Sequence, residues 1–333
     1  MRIGVTYDLR ADYLAMGMSE EESAEFDSEI TIASLCEALS GLGHEPVRIG
    51  HIRALTGRLV AGERWDAVFN ICEGLAGYAR EAQVPALLEA YGIPAVFSDP
   101  LTLALTLDKA WTKQIARIAG VPTPDFAVIG TAADIDGVNL PYPLFLKPIA
   151  EGSGKGVSER SRVNAPSELR VIALELLSRF RQPVLVETYL SGREFTVGIT
   201  GTGADACALG VMEIKPTAKG TQSGYSYENK EHWEDRVTLH LVDDPEAQKA
   251  ADVALCAWRA LRCRDGGRVD VRSDGEGRPN FLEVNPLAGL NPHHSDLCFL
   301  ARFKGLSYQE LIGLIVGSFL KRHPELASRR AAA

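Results

Sequence analysis

A chain of 333 residues is long enough for two or three domains, and its 44 acidic against 35 basic side chains (net charge −9), without any Lys/Arg-rich run, argue against a nucleic-acid partner. No apolar run approaches the roughly 20 residues of a membrane helix, so no membrane partner is expected. The six cysteines are scattered without a CxxC pair, which argues against a zinc knuckle or dithiol motif and fits a reducing compartment.

The N-terminus, MRIGVTYDLRADY, enters a strand with no basic segment ahead of an apolar one, and a cytoplasmic location is expected. RIGVTY reads as a buried strand. Ile30, Ala33, Leu35, Ala38, Leu39 and Leu42 recur at helical spacing and predict a helix from Glu29 to Leu42, stopped by Gly43. EPVRIG, WDAVFNI and IPAVFS are further strands, with AQVPALLEAYG a helix between the last two. Strands alternating with helices predict a parallel α/β sheet. From Thr106 the pattern changes. LDKAWTKQIARIAG reads as a helix, and VPTPDFAVI opens a new segment after two prolines. PLFLKPIAEGSGKGVSERS reads as strand, Gly-rich turn, strand; PSELRVIALELLSRF is an amphipathic helix with Ser167 beside its start and Glu168 in its first turn. PVLVETYL and EFTVGITG are strands, and strands with a single helix predict a small α+β lid. ALGVMEIKP, GRVDVRS and NFLEVN are strands too. The polar segment Thr217 to Pro245 reads as a long loop, a length that marks either function or disorder. EAQKAADVALCAWRALR and SYQELIGLIVGSFLKRH are helices, and ASRRAAA is a frayed tail.

Three segments carry chemistry. In FLKPIAEGSGKGVS a strand delivers Lys147 to a turn whose glycines let backbone N–H groups approach a phosphate; a plain hairpin is an equal reading of this segment alone. In VLVETYLSGREF, Glu187 and Glu194 sit at strand ends and suit a base amine or ribose hydroxyls, or equally a pair of solvated acids. In RVDV the strand alternation puts Arg268 and Asp270 on one face, and in FLEVN it does the same for Glu283 and Asn285. If those strands pair, two carboxylates, an amide oxygen and an arginine converge. Hard oxygen ligands suit Mg²⁺ with substrate phosphates, and the arginine suits developing negative charge. Cross-strand salt bridges are the bland alternative, but they leave Asn285 and the Gly-rich turn unexplained.

The order LDK, FLKP, EGS, VETYLSGREFTV, ENK, GRVDV and FLEVN resembles the ATP-grasp superfamily, and within it the D-alanine–D-alanine ligases. The resemblance covers nearly the whole chain and is strongest from Leu107 to Gly289. It implies an α/β and α+β ATP-grasp fold. Residues 1–105 would form a Rossmann-like parallel α/β domain, 106–185 a central lid subdomain, and 186–325 a C-terminal subdomain with the metal and catalytic site, followed by a tail at 326–333. By the same resemblance Lys109 and Lys147 hold ATP phosphates, Ser153 is the serine of the Gly-rich loop, and Glu187, Leu190 and Glu194 contact purine and ribose. Lys230 belongs to a mobile loop that closes over ATP, and Arg268 steadies the tetrahedral state. Asp270, Glu283 and Asn285 bind two Mg²⁺ ions, with Glu283 bridging; Mn²⁺ is an alternative metal. The implied reaction is ATP- and Mg²⁺-dependent joining of a carboxylate to an amine through an acyl phosphate, which a lid must shield from water. The partners are small-molecule amino acids or amines, and a homodimer is expected because the family's members are commonly homodimers.

The amino-acid side departs from the family. The usual Gly-Gly-x-Ser-x-Glu-Arg loop is replaced by a longer acidic segment, TYDLRADYLAMGMSEEESAEFDSEI, leaving Glu25, Asp27 and Glu29 as candidates to fix the first amino group. NICEGLAGYAREAQ replaces the next motif and leaves Asn70, Glu73, Arg80 and Glu81 as candidate substrate contacts. Glu231 stands where a tyrosine usually follows the mobile-loop lysine, and PLAGLNPHHSD puts His294 where a serine would hold the acceptor's carboxylate. His293 or His294 could also serve as a base for the amine. Changes in both amino-acid pockets, and the acidity of the first loop, point to a substrate bearing an amine or other cation. Both peptidoglycan biosynthesis and secondary metabolism remain open. A nucleotide-binding protein without turnover is the reading from a different class; its mark would be loss of a metal ligand or of Arg268, and none is lost.

Overall fold

The computed structural model describes residues 1–220, 226, 228–229 and 233–326, and three sheets carry the chain. β1 (Arg2–Thr6) is flanked by parallel β2 (Glu45–Arg48) and β3 (Ala67–Asn70), with the short β4 (Ala95–Val96) beyond, in the order β2-β1-β3-β4. The connections hold α1 (Arg10–Ala15), α2 (Glu29–Gly41), α3 (Ile52–Val60) and α4 (Gln83–Ala90). Parallel strands need such helical crossovers, so the alternation read from the sequence is the sheet observed. Ser28 caps α2 by accepting from the Thr31 N–H, and Glu29 sits in its first turn.

A helical pair, α5 (Pro100–Leu107) and α6 (Lys109–Ile118), leads to the second sheet. Asp108 turns the corner between them, since its side chain accepts from the N–H groups of Ala110 and Trp111. This antiparallel sheet has the order β5-β8-β6-β7, built from β5 (Phe126–Ile129), β6 (Leu144–Pro148), β7 (Arg162–Val163) and β8 (Val184–Thr188). One face, with Leu144, Leu146, Val184 and Val186, packs on Leu169, Ile172, Ala173 and Leu176 of α7 (Pro166–Phe180). Strict alternation then turns Lys147 and Glu187 to the opposite face, where they line a cavity.

The third sheet is antiparallel in the order β11-β10-β9-β12-β13. It consists of β9 (Glu194–Thr200), β10 (Cys207–Pro216), β11 (Val237–Val242), β12 (Gly266–Ser273) and β13 (Pro279–Asn285), with one helical turn, α8 (Trp233–Arg236), leading into β11. Part of the segment read as a long loop is therefore an edge strand. Its Val237, Leu239 and Leu241 alternate with Thr238 and His240, the strand signal that the loop reading passed over. The core face of this sheet (Phe195, Val197, Val269, Val271, Phe281, Val284) packs on Ala250, Ala254, Ala257 and Trp258 of α9 (Pro245–Ala260). The other face meets α10 (Asp296–Phe303) beside Gly198, where a Cβ would stand 2.9 Å from Leu300 Cδ1. The last helix, α11 (Tyr308–Arg322), returns to the first sheet, and its Leu311, Ile315 and Phe319 share a core with Ile3, Val5 and Phe69. The fully buried Asp265 locks this return, accepting from the Phe97 N–H at 2.8 Å and from Arg322 Nη2 at 2.6 Å.

Gly267 is where β12, β13 and α9 come closest, because a Cβ there would stand 2.5 Å from the Asn285 carbonyl and 2.8 Å from the Trp258 ring. Neither neighbour can yield cheaply. Gly267→Ala is expected to lower stability by about 1–3 kcal/mol in urea denaturation, the usual cost of overpacking. A wild-type midpoint would contradict the packing described.

Candidate active site

The floor of the site is the pairing of β12 with β13. Arg268 lies opposite Asn285 and Asp270 opposite Glu283, so all four share one face, as the alternation of RVDV and FLEVN implies. The register shifts between Asp270 and Val271, and Phe281 pairs with Val271, so Leu282 is an extra residue. This bulge puts Leu282 and Glu283 side by side along the cavity while Phe281 and Val284 stay in the core, which strict alternation does not foresee. Asp270 accepts from Thr196 Oγ1 at 2.8 Å and from Arg268 Nη1 at 2.6 Å; Arg268 also stands 3.4 Å from Asp296 at the start of α10.

Cations surround the second carboxylate. Lys109 and Lys147 each lie 3.7 Å from Glu283 Oε2, one from α6 and the other from β6. Lys147 also pairs with Glu187 Oε2 at 3.0 Å, and Lys113, one turn beyond Lys109, pairs with Glu187 Oε1 at 2.6 Å. Lys113 was not singled out from the sequence; its i, i+4 spacing from Lys109 was the available signal. Burial pulls the Lys113 ammonium down to about 8, against the pull of Glu187. Burial would raise the Glu187 carboxyl, but the two lysines outweigh it and hold it below the ordinary value.

The Gly-rich turn between β6 and β7 is wound by positive φ angles at Ser153 (51°), Gly154 (71°) and Gly156 (75°). Its Glu151 carbonyl accepts from Lys109 Nζ at 2.5 Å. The Gly152 N–H donates to Glu25 Oε1 at 2.6 Å, and Lys155 pairs with both Glu25 (3.2 Å) and Glu151 (2.5 Å). Arg80 reaches Glu25 at 3.3 Å. Burial opposes the charge on Glu25, yet Lys155 and Arg80 prevail and keep its carboxyl below the usual range. The acidic first loop is thus tied to the Gly-rich turn.

Two cavities open on this floor. The smaller is lined by Phe145, Tyr189, Leu190 and Leu282, with Lys147, Glu187 and Glu194 at its polar positions. Apolar walls with polar ends suit a purine nucleoside. Glu194 is held by Arg272 at 3.2 Å, and the hydroxyl of Tyr189, also missed in the sequence, accepts from Arg272 at 3.1 Å. The larger cavity, of about 420 Å³, is lined by Glu25, Asp27, Glu73, Glu81, Ser153, Arg268, Asn285 and His294, with Lys109 and Glu283 shared between the two. Ser153 therefore faces the larger cavity. Lys230 and Glu231 lie outside the described residues.

Three candidates line neither cavity: Arg80, which pairs with Glu25, and also Glu29 and Asn70. Glu29 does not line the cavity: as the first residue of α2 it is exposed and pairs with Arg48 at 2.6 Å, while Glu25 and Asp27 of the preceding loop face inward. Asn70 is buried at the end of β3, where its Oδ1 accepts from Thr6 Oγ1 at 2.9 Å and from the Cys72 N–H at 3.2 Å. It braces β1 against β3 and lines neither cavity.

The donor set fits a hard divalent cation. Asp270 and Glu283 face each other across the strand pair with Asn285 beside them. Among the described residues no three His, Cys, Asp or Glu side chains group closely enough to hold a metal by themselves. Two carboxylates and an amide oxygen are the donors that suit Mg²⁺, which is commonly held by one or two carboxylates and completed by phosphates.

Residues 115–317 match the family described as D-ala D-ala ligase C-terminus. The D-alanine–D-alanine ligase of Bordetella pertussis is 39% identical over 263 residues, covering 78% of this chain and 79% of that one. Its counterpart in Xylella fastidiosa is 33% identical over 300 residues, covering 87% and 94%. The crystal structure of the Bacillus anthracis D-alanine–D-alanine ligase complexed with ATP matches with a TM-score of 0.72 at 23% identity, over 98% of this chain and 99% of that one. The three sheets therefore form the ATP-grasp fold. The chain belongs to the D-alanine–D-alanine ligase family, whose members are ATP-dependent ligases that form a C–N bond.

The larger cavity also titrates. Burial pushes Glu81 up to about 7, with Arg80 opposing and Glu25 adding, and burial pushes Asp27 to about 7, with Asp8 adding. Glu73 is driven well above the ordinary value by burial and by Glu81, Glu25 and Asp27. An unfolded chain ionises Glu81 near 4.5, while the folded protein keeps its proton to about 7. Stability is therefore lost as pH rises from 4.5 through 7. Glu81→Gln removes that loss, and urea denaturation should show little gain at pH 5 and a gain of about 2 kcal/mol at pH 8. Equal gains at both pH values would contradict this assignment.

Proposed function

We propose that this ligase uses ATP and Mg²⁺ to join two amino-acid-like substrates through an acyl phosphate, with the nucleotide in the smaller cavity and both substrates in the larger. The observation that carries the reading is the joint: Lys109 and Glu283 line both cavities, so a phosphate leaving the first is delivered to the second. Lys109 and Lys147 would neutralise the triphosphate, and Glu187, Leu190 and Glu194 would take purine and ribose. Asp270, Glu283 and Asn285 would hold Mg²⁺, which supplies further neutralisation of phosphate charge. A carboxylate oxygen of the donor attacks the γ-phosphorus and ADP leaves. The acceptor's amine then attacks the acyl carbon, phosphate leaves, and the nitrogen sheds a proton. Arg268, beside Asn285 in the larger cavity, is placed to stabilise the oxyanion of that second step. His294, on the same cavity wall, is a candidate to bind the acceptor's carboxylate or take the proton.

D-alanine is the first substrate to try on both sides. A second reading, with a donor carrying an additional cationic group, is favoured by one observation: Glu73 and Glu81 line the larger cavity and form no ion pair among the described residues.

Phosphate release from ATP and Mg²⁺ should be measured with D-alanine, then with D- and L-amino acids and simple carboxylates, with products identified by mass. The expected result is phosphate release matched one to one by a dipeptide or amide. Arg268→Met should lower kcat on the order of 10²–10³-fold, with ATP affinity within a few-fold of wild type. ATP binding without phosphate release, whatever the acceptor, would overturn the reading.

A further inference from the structure

Lys113 lines neither cavity. Its side chain is completely buried behind the nucleotide pocket, yet it carries an ammonium group. That ammonium donates to Thr123 Oγ1 at 3.1 Å and to the Phe281 carbonyl at 3.1 Å, and it forms an ion pair with Glu187 Oε1 at 2.6 Å. Burying a lysine this thoroughly is costly unless the charge is paired and bonded, and here it is both. A residue kept only for packing needs no charge.

The arithmetic of the cluster shows what the charge does. Glu187 is one carboxylate shared by two ammoniums, Lys113 at one oxygen and Lys147 at the other (3.0 Å). Lys113 faces inward to protein, while Lys147 lines the smaller cavity. The trio carries one net positive charge, and of its two ammoniums only Lys147 is open to a ligand. With Lys113 uncharged, Glu187 and Lys147 would form a neutral pair, and a phosphate would have to compete with a buried carboxylate for Lys147.

We propose that Lys113 is a positioning residue of the nucleotide site, which occupies Glu187 so that Lys147 stays available to the triphosphate. This inference rests on the reading that Lys147 faces ATP phosphates. It also gives Glu187 a role besides purine contact, as the bridge between a hidden cation and a working one. Thr123 Oγ1 also donates to the Phe281 carbonyl, at 3.0 Å, so the start of the β13 bulge keeps a donor when Lys113 is replaced.

The test is calorimetric binding of ATP with Mg²⁺ to the full chain, alongside steady-state kinetics. Lys113→Met should weaken ATP binding roughly tenfold or more, with kcat at saturating ATP and KM for the amino acid within about threefold of wild type. Adding Glu187→Gln, which keeps an acceptor oxygen for the purine but no charge, should restore most of the lost affinity, because the unbalanced carboxylate is gone. A packing role predicts no such rescue. If Lys113→Met does not fold, Lys113→Gln, which keeps a donor for Glu187 but no charge, should show the same loss and the same rescue. Wild-type ATP affinity in the folded single variant, or a double variant no better than the single, would overturn the proposal. Failure of the wild-type protein itself to bind ATP would overturn the nucleotide-site reading and this inference with it.

Discussion

Two carboxylates opposite each other on neighbouring strands repel, and the active site is arranged around that repulsion. Asp270 and Glu283 occupy such a pair. Left alone they would disfavour the register that every other site residue relies on. Arg268 answers Asp270 directly at 2.6 Å, while Lys109 and Lys147 approach Glu283 from two other elements. Helix α6, the lid strand β6 and the floor strands are therefore drawn to one point by charge. In the proposed reaction a polyanion and its cation would enter at the same point, because phosphate and Mg²⁺ would replace these internal partners with stronger ones of the same sign.

The first sheet reaches the same point by a different contact. Glu25, in the loop before α2, accepts from the backbone of the Gly-rich turn and pairs with Lys155 and Arg80. The Gly-rich turn of the second sheet is thus held by a loop more than 100 residues earlier in the chain. With α11 packed on the first sheet and Asp265 bonded to Arg322 and Phe97, the sheets that flank the larger cavity are joined on both sides of it.

Much of this was legible in the sequence, for physical reasons that differ by segment. The floor could be read because RVDV and FLEVN alternate, and a period of two has only one way to face a core of valines. Lys147 could be read because FLKP is a strand ended by proline. The bulge at Leu282 could not, since it is set by Phe281 bonding to the 122–123 segment and to Lys113, contacts about 160 residues apart in sequence. Lys113 was missed because a lysine on an amphipathic helix ordinarily faces water. No periodic signal separates Glu25, Asp27 and Glu29 in the sequence; cap geometry does, turning Glu29, the first helical residue, outward toward Arg48. Asn70 ends an apolar strand much as Glu187 does, but its neighbours are a threonine and a backbone N–H, and so it braces the fold.

The central claim is that one point on β12 and β13 serves both metal and phosphate. Crystals grown with Mn²⁺ and a non-hydrolysable ATP analogue, examined at the manganese absorption edge, test it most directly. The account predicts anomalous density about 2 Å from carboxylate oxygens of Glu283 and Asp270. It also predicts that Lys109 and Lys147 contact phosphate oxygens and that the purine lies against Tyr189 and Leu190. Manganese bound elsewhere, or a triphosphate that bypasses both lysines, would contradict it.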